Sequence, residues 1–172
     1  MPDYAVTAVG RDRPGIVAAI SRALLAFGGN IQGSQMSMLG GQFAVMLVVT
    51  VDDGTPEDEL SASLGEVREE LGLQALTFTP VDEPTATLPR ATHRLRVQGK
   101  DRPGMIATTS AVLAGHGVNI IDLESRVEPG DERLSVLLLE VDLSDCDLQE
   151  VEAALKDAAA AIELEVELSE LG

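Results

Sequence analysis

Gly10-Arg11-Asp12-Arg13-Pro14-Gly15-Ile16-Val17-Ala18 returns, at an offset of 89 residues, as Gly99-Lys100-Asp101-Arg102-Pro103-Gly104-Met105-Ile106-Ala107. The same offset carries Leu24 onto Leu113, Gly28 onto Gly117, and Asn30-Ile31 onto Asn119-Ile120. Self-similarity at one fixed period marks a duplicated unit. The 172-residue chain therefore reads as two small domains. The stretch copied most closely lies between a strand pattern and a helix pattern, which makes it a loop. Loops hold binding groups more often than packing elements do, so this loop is the candidate site.

Each copy predicts β-α-β-β-α-β. In the first, Tyr4 to Val9 alternates as a strand does, and Ile16, Val17, Ile20, Leu24 and Phe27 recur at helical spacing. Pro14 is expected near the first helical turn, where a missing N–H costs nothing. Gly28-Gly29 ends that helix. Asn30 to Met38 and the apolar run Phe43 to Val51 predict two strands around Gly40-Gly41, the second suited to a central place in the sheet. Thr55-Pro56-Glu57-Asp58 resembles a capping box. It opens a helix with Leu60, Leu64, Val67 and Leu71 on one face, and a strand over Leu73 to Thr79 follows.

The second copy repeats the plan from His93 to Leu168. A helix runs over Pro103 to Gly115, a hairpin turns at Glu128-Pro129-Gly130-Asp131, and a helix is capped within Ser144-Asp145-Cys146-Asp147. The order is the ferredoxin-like one. The expected class is α+β, with a four-stranded antiparallel sheet and two helices on one face in each domain. The expected boundaries are an N-terminal domain over 1–83, a proline-bearing linker over 84–90 and a C-terminal domain over 91–172.

Composition narrows the function. Net charge is −17, and aromatics make up 2% of residues. Nucleic-acid binding needs basic patches that displace counterions and aromatic faces for bases, and neither is offered. Direct nucleic-acid partners are therefore not expected. Cys146 is alone, which excludes an intramolecular disulfide and a cysteine-based metal site. The two histidines and one cysteine fall outside the repeated motif and assemble no nucleophile, base and orienter. No enzyme activity, metal or cofactor is expected. The absence of a leader pattern or membrane-length apolar run predicts a cytoplasmic protein.

Gly10-x-Asp12-Arg13-Pro14-Gly15-Ile16-Val17, a helix, and then Gly28-Gly29-Asn30-Ile31 resemble the ACT domain, a regulatory amino-acid-binding module of ferredoxin-like fold. The second copy fits as well, and the tandem pair resembles the glycine cleavage system transcriptional repressor family. The resemblance implies an effector site where the first strand meets the first helix, usually between two ACT domains. It implies ligand-binding roles for Asp12, Arg13, Pro14, Gly15, Ile16, Val17, Asn30 and Ile31. In the second copy these become Asp101, Arg102, Pro103, Gly104, Met105, Ile106, Asn119 and Ile120. It also implies pairing of domains, with a homodimer expected, and a protein partner: a transcription regulator or a metabolic enzyme.

The chemistry of such a loop suits a zwitterion. A helix N-terminus offers unpaired N–H groups and partial positive charge to a carboxylate. Gly15 permits close approach, Asp12 can accept from an ammonium, and the Asn30 amide both donates and accepts. For glycine, five heavy atoms at a ceiling of ~1.5 kcal/mol each limit binding to ~7.5 kcal/mol, a micromolar dissociation constant at best. Each group also has a purely structural reading. Asp12 and Asp101 cap a helix, Asn30 and Asn119 support a turn, Arg13 and Arg102 are solvated, and Met36 and Met38 fill an edge. The functional reading is an amino-acid sensor for glycine or serine, acting on transcription through a partner protein. The alternatives are a free-standing regulatory subunit of a metabolic enzyme and a structural dimer without ligand.

Overall fold

The alternation at the N-terminus becomes β1 (Asp3–Arg11), with Tyr4, Val6 and Ala8 buried. It is followed by α1 (Ile16–Ala26), β2 (Asn30–Leu39), β3 (Gln42–Thr50), α2 (Glu57–Leu71) and β4 (Ala75–Pro80). The second half repeats the order as β5 (His93–Lys100), α3 (Met105–Gly115), β6 (Asn119–Glu128), β7 (Leu134–Asp142), α4 (Leu148–Ala161) and β8 (Glu165–Glu170). This computed structural model describes residues 1–81, 89–129 and 133–172. The expected linker lies outside the described residues up to 88, and so do Gly130 and Asp131 of the expected hairpin turn. The chain divides into two compact units, Met1–Thr85 and Ala86–Gly172.

Within each unit the four strands form one antiparallel sheet, ordered β2-β3-β1-β4 and β6-β7-β5-β8. The apolar third strand of each copy is central, as its composition requires. α1 packs with α2, and α3 with α4. The first core is built from Val6, Ile16, Ile20, Leu24, Leu47, Val49, Leu60 and Leu64, and the second from Leu95, Val97, Leu113, Leu139, Val141, Val151 and Leu155. Both cores are almost wholly aliphatic, and each such side chain contributes roughly 1.5–3 kcal/mol by leaving water.

Local expectations divide. Asp147 caps α4, its carboxylate accepting from the N–H groups of Gln149 and Glu150 at 3.0 and 3.2 Å. Thr55 does not cap α2. Its hydroxyl donates to the Asp52 carbonyl at 2.8 Å, and Pro56 holds the cap position without a side-chain bond. The α2 N-terminus is instead served by the acidic first turn of Glu57, Asp58 and Glu59, which complements the helix dipole.

Tyr4 ties β1 to that turn. Its hydroxyl donates to the Glu57 carboxylate, and its ring stacks on Phe78 with centroids 4.2 Å apart. The hydrogen bond to Glu57, then burial, then the Glu57 charge push the phenol up to about 12. A folded-state value above the unfolded one of ~10 stabilises the fold fully below pH ~10. That contribution is lost as pH rises through the folded value. Tyr4 is the sole tyrosine and there is no tryptophan, so phenolate absorbance reads this group directly. The native chain is expected to titrate near pH 12, and Glu57→Gln to move the midpoint towards the ordinary tyrosine value.

Candidate functional site

The repeated loop sits between β1 and α1, and again between β5 and α3. In both, a Pro-Gly pair sets its course. Proline fixes its own φ, and the following glycine adopts φ 98°, ψ −8° at Gly15 and φ 103°, ψ −11° at Gly104. That is the geometry required of the third residue of a type II turn. Gly15 and Gly104 are therefore the N-cap residues, and the helices begin at Ile16 and Met105. Two expectations are corrected here. Pro14 lies just ahead of the first helical turn, near it as expected, whereas Pro103, expected as the first residue of its helix, also lies ahead of it, because the turn consumes it. Asp12 and Asp101 do not cap, because the turn brings a glycine to the cap position, and no side chain caps α1 or α3.

The first helical hydrogen bonds run from Ala19 N–H to Gly15 at 2.9 Å and from Thr108 N–H to Gly104 at 2.8 Å. The amides of 16–18 and 105–107 precede the ladder and have no partner within the helix. Each helix tip opens onto a groove. The first groove, of about 500 Å³, is lined by Asp12, Arg13, Gly15, Ile16, Val17, Ala18, Met36 and Phe43. The second, of about 590 Å³, is lined by residues 101–107 with Ser125, Arg126, Val127 and residues 135–137. Val17, part of the helical apolar repeat with Ile16 and Ile20, and its counterpart Ile106 are 42% and 43% exposed and line these grooves. Ile16 and Met105 turn into the cores.

The two arginines turn towards the second helix of their own domain. Arg13 donates to the Glu70 carbonyl at 2.9 Å, in the last turn of α2. There carbonyls lack helical partners and a cation meets the negative dipole end. Arg102 pairs with the Glu163 carboxylate at 2.7 Å, just beyond α4. Their shared role is to fasten the loop. The repeated Gly10 and Gly99 are packing requirements too. A Cβ at Gly10 would meet Leu73, and one at Gly99 would meet Leu164 at 2.4 Å.

Asn30 and Asn119 are not beside the loop. Asn30 is level with Thr50, which is itself opposite Asp3, whereas the loop leaves β1 at Arg11, level with Gln42. Nine strand residues span roughly 27 Å, so Asn30 and Ile31 lie at the far end of the sheet. Asn119 and Ile120 occupy the same place in the second domain, with Asn119 opposite Asp142. The expectation that Asn30 flanks the N-terminal end of helix one is corrected. In the split β-α-β unit, β1 and β2 run parallel on either side of β3, which brings the start of β2 level with the start of β1, at the C-terminal end of the helix.

Met36 and Phe43, with Ser125 and Ser135, are groove residues that sequence reasoning missed. Their signal is register: Met36 and Ser125 occupy matching positions on β2 and β6, while Phe43 and Ser135 stand opposite Gly10 and Gly99. Among the described residues no metal-binding cluster is present, Cys146 is a free thiol, and no helix is long and apolar enough to cross a membrane.

The hydrogen bond from Arg102, then its charge, hold the Glu163 carboxyl below the usual carboxylate range. Such a depressed value stabilises the folded loop above the unfolded pKa, and the contribution is lost as pH falls through the folded one. Carboxyl NMR of the native chain should place the Glu163 midpoint below that of an ordinary glutamate, and Arg102→Ala should return it to the ordinary range. An unchanged midpoint would remove Arg102 as the cause.

ACT-domain profiles match residues 4–77 and 93–160. The glycine cleavage system transcriptional repressor of Escherichia coli (strain K12) is 30% identical over 137 residues, covering 79% of this chain and 71% of that protein. The protein of the same name from Shigella flexneri matches equally. A crystal structure of an unknown protein from Galdieria sulphuraria superposes with a TM-score of 0.80 at 25% identity, over 99% of both chains. A second, provisionally assigned as a glycine cleavage system transcriptional repressor, gives 0.74 at 19% identity over 99% of this chain and 97% of that one. The chain thus belongs to the ACT-domain family, as a tandem member of the group that includes the glycine cleavage system transcriptional repressor.

Proposed function

We propose that this protein is a non-catalytic amino-acid sensor. It binds a small amino acid, glycine or serine, at the Pro-Gly loop, and it regulates transcription indirectly through a protein partner in the cytoplasm. The observation that supports this most is the uncapped tip of α1, whose amides at 16–18 open onto a groove bordered by the Asp12 carboxylate. Those amides and the positive end of the helix dipole suit the ligand carboxylate, and Asp12 suits its ammonium. Asn30 and Asn119 reach a ligand in this reading only from another ACT domain. Kinship with a transcriptional repressor supports the regulatory role, and the net charge of −17 supports action through a protein rather than on nucleic acid.

A homodimer joined through β2 accompanies this reading. β2 is an edge strand with all ten residues exposed, none of them charged, and Met36, Met38 and Leu39 on it are large and apolar. Unpaired groups on such an edge template another strand. β6 carries Asp122, Glu124, Arg126 and Glu128 in the equivalent place. Sedimentation should find the native chain dimeric and Met38→Lys monomeric. An unchanged oligomer in Met38→Lys would remove β2 as the joint.

A thermal-shift screen over the amino acids tests the sensor directly. A ligand at a hundredfold excess over Kd should stabilise the chain by roughly 2.7 kcal/mol. Asp12→Ala should weaken binding by about 1–3 kcal/mol, as for a charge-assisted hydrogen bond. No shift with any amino acid would reject the reading. Capture of a metabolic enzyme rather than a transcription regulator from lysate would redirect it to an enzyme's regulatory subunit.

A further inference from the structure

The two loops share a backbone and differ in what their acids do. Asp101 is engaged within its own domain. The Ser135 hydroxyl donates to it at 2.7 Å, and the Arg133 guanidinium lies 3.5 Å from its other oxygen. Among the described residues, the Asp12 carboxylate has neither a hydrogen-bond nor an ion-pair partner, and this residue is held only by its backbone N–H, which donates to the Gly41 carbonyl at 3.2 Å. The cause lies in the strand opposite. Phe43 stands where the second domain has Ser135, so no hydroxyl reaches Asp12. Arg13, beside it in the chain, is committed to the Glu70 carbonyl.

The groove walls differ in the same sense. Met36 and Phe43 add apolar wall to the first groove where Ser125 and Ser135 add hydroxyls to the second, whose wall is otherwise also apolar through Val127, Val136 and Leu137. A ligand ammonium gains most from a carboxylate that is not already neutralised. A ligand side chain against Met36 gains by burying methyl groups, about fourfold in affinity for each. A hydroxyl in the same place gives up water without finding a polar partner.

We propose that the amino-acid site is confined to the first domain, and that its groove accepts small aliphatic amino acids, alanine and glycine, in preference to serine. The second loop is a closed counterpart, with its acid consumed by Ser135 and Arg133. This inference rests on the sensor reading, confines it to one site, and moves its ligand class from glycine or serine to alanine and glycine.

Calorimetric titration with alanine, glycine and serine is the test. The native chain should bind one alanine per chain, with serine roughly threefold to tenfold weaker. Asp12→Asn should weaken alanine binding roughly 5- to 150-fold, and Asp101→Asn should leave alanine affinity and stoichiometry as they were. Met36→Ser, at a position 55% exposed and so tolerant of change, should erase the preference for alanine over serine. Two sites per chain, loss of binding in Asp101→Asn with retention in Asp12→Asn, or serine binding as tightly as alanine would each overturn the inference while leaving the sensor reading in place. Absence of heat with all three probes, together with no response in the wider amino-acid screen, would reject the sensor reading itself.

Discussion

A glycine held near φ +100° behind a proline is the constraint on which both candidate sites depend. The Pro14-Gly15 and Pro103-Gly104 turns redirect the chain from strand to helix within four residues. In doing so they place a residue without a side chain at the N-cap. A serine or aspartate cap would consume one of the first helical amides. The glycine leaves them unclaimed, and any Cβ at this φ would be strained. The open helix tip is thus a consequence of turn geometry.

Much of the repeated motif serves to hold that tip in place. Gly10 and Gly99 admit Leu73 and Leu164 against the outgoing strand. Arg13 and Arg102 bind the loop to the end of the second helix. Glu163 is itself unusual, a non-glycine residue at φ 54°, just past the end of α4 where the first domain has Gly72 past α2. Left-handed backbone costs a side-chain-bearing residue on the order of 1–2 kcal/mol, and its ion pair with Arg102 accompanies that strain. Once anchoring is separated from binding, Asp12 and the amides of 16–18 and 105–107 remain as groups without internal partners.

The sequence disclosed the fold because periodicity and punctuation agreed. Alternation in Tyr4–Val9, the apolar run from Phe43 and the helical stripe of Leu60 and Leu64 all became the expected elements. Asp147 capped as its position suggested, whereas Thr55 turned to Asp52 because a proline followed it. The site was legible only in part. Repetition marked the loop, but repetition alone does not separate residues that fasten a loop from residues that face a groove. Asn30 illustrates the limit: it is copied faithfully, yet antiparallel topology carries it to the opposite end of the sheet. Met36 was read only as an edge residue and Phe43 only as a strand residue, because cross-strand neighbours are fixed by register, which no local pattern states.

The account stands on unclaimed amides at the tip of α1 receiving a carboxylate. Amide NMR of the chain titrated with alanine reads those groups one by one. The predicted result is a saturable shift of the Ile16, Val17 and Ala18 N–H signals, with the matching Met105, Ile106 and Ala107 signals unmoved. Saturable shifts confined to residues away from the α1 tip would contradict it.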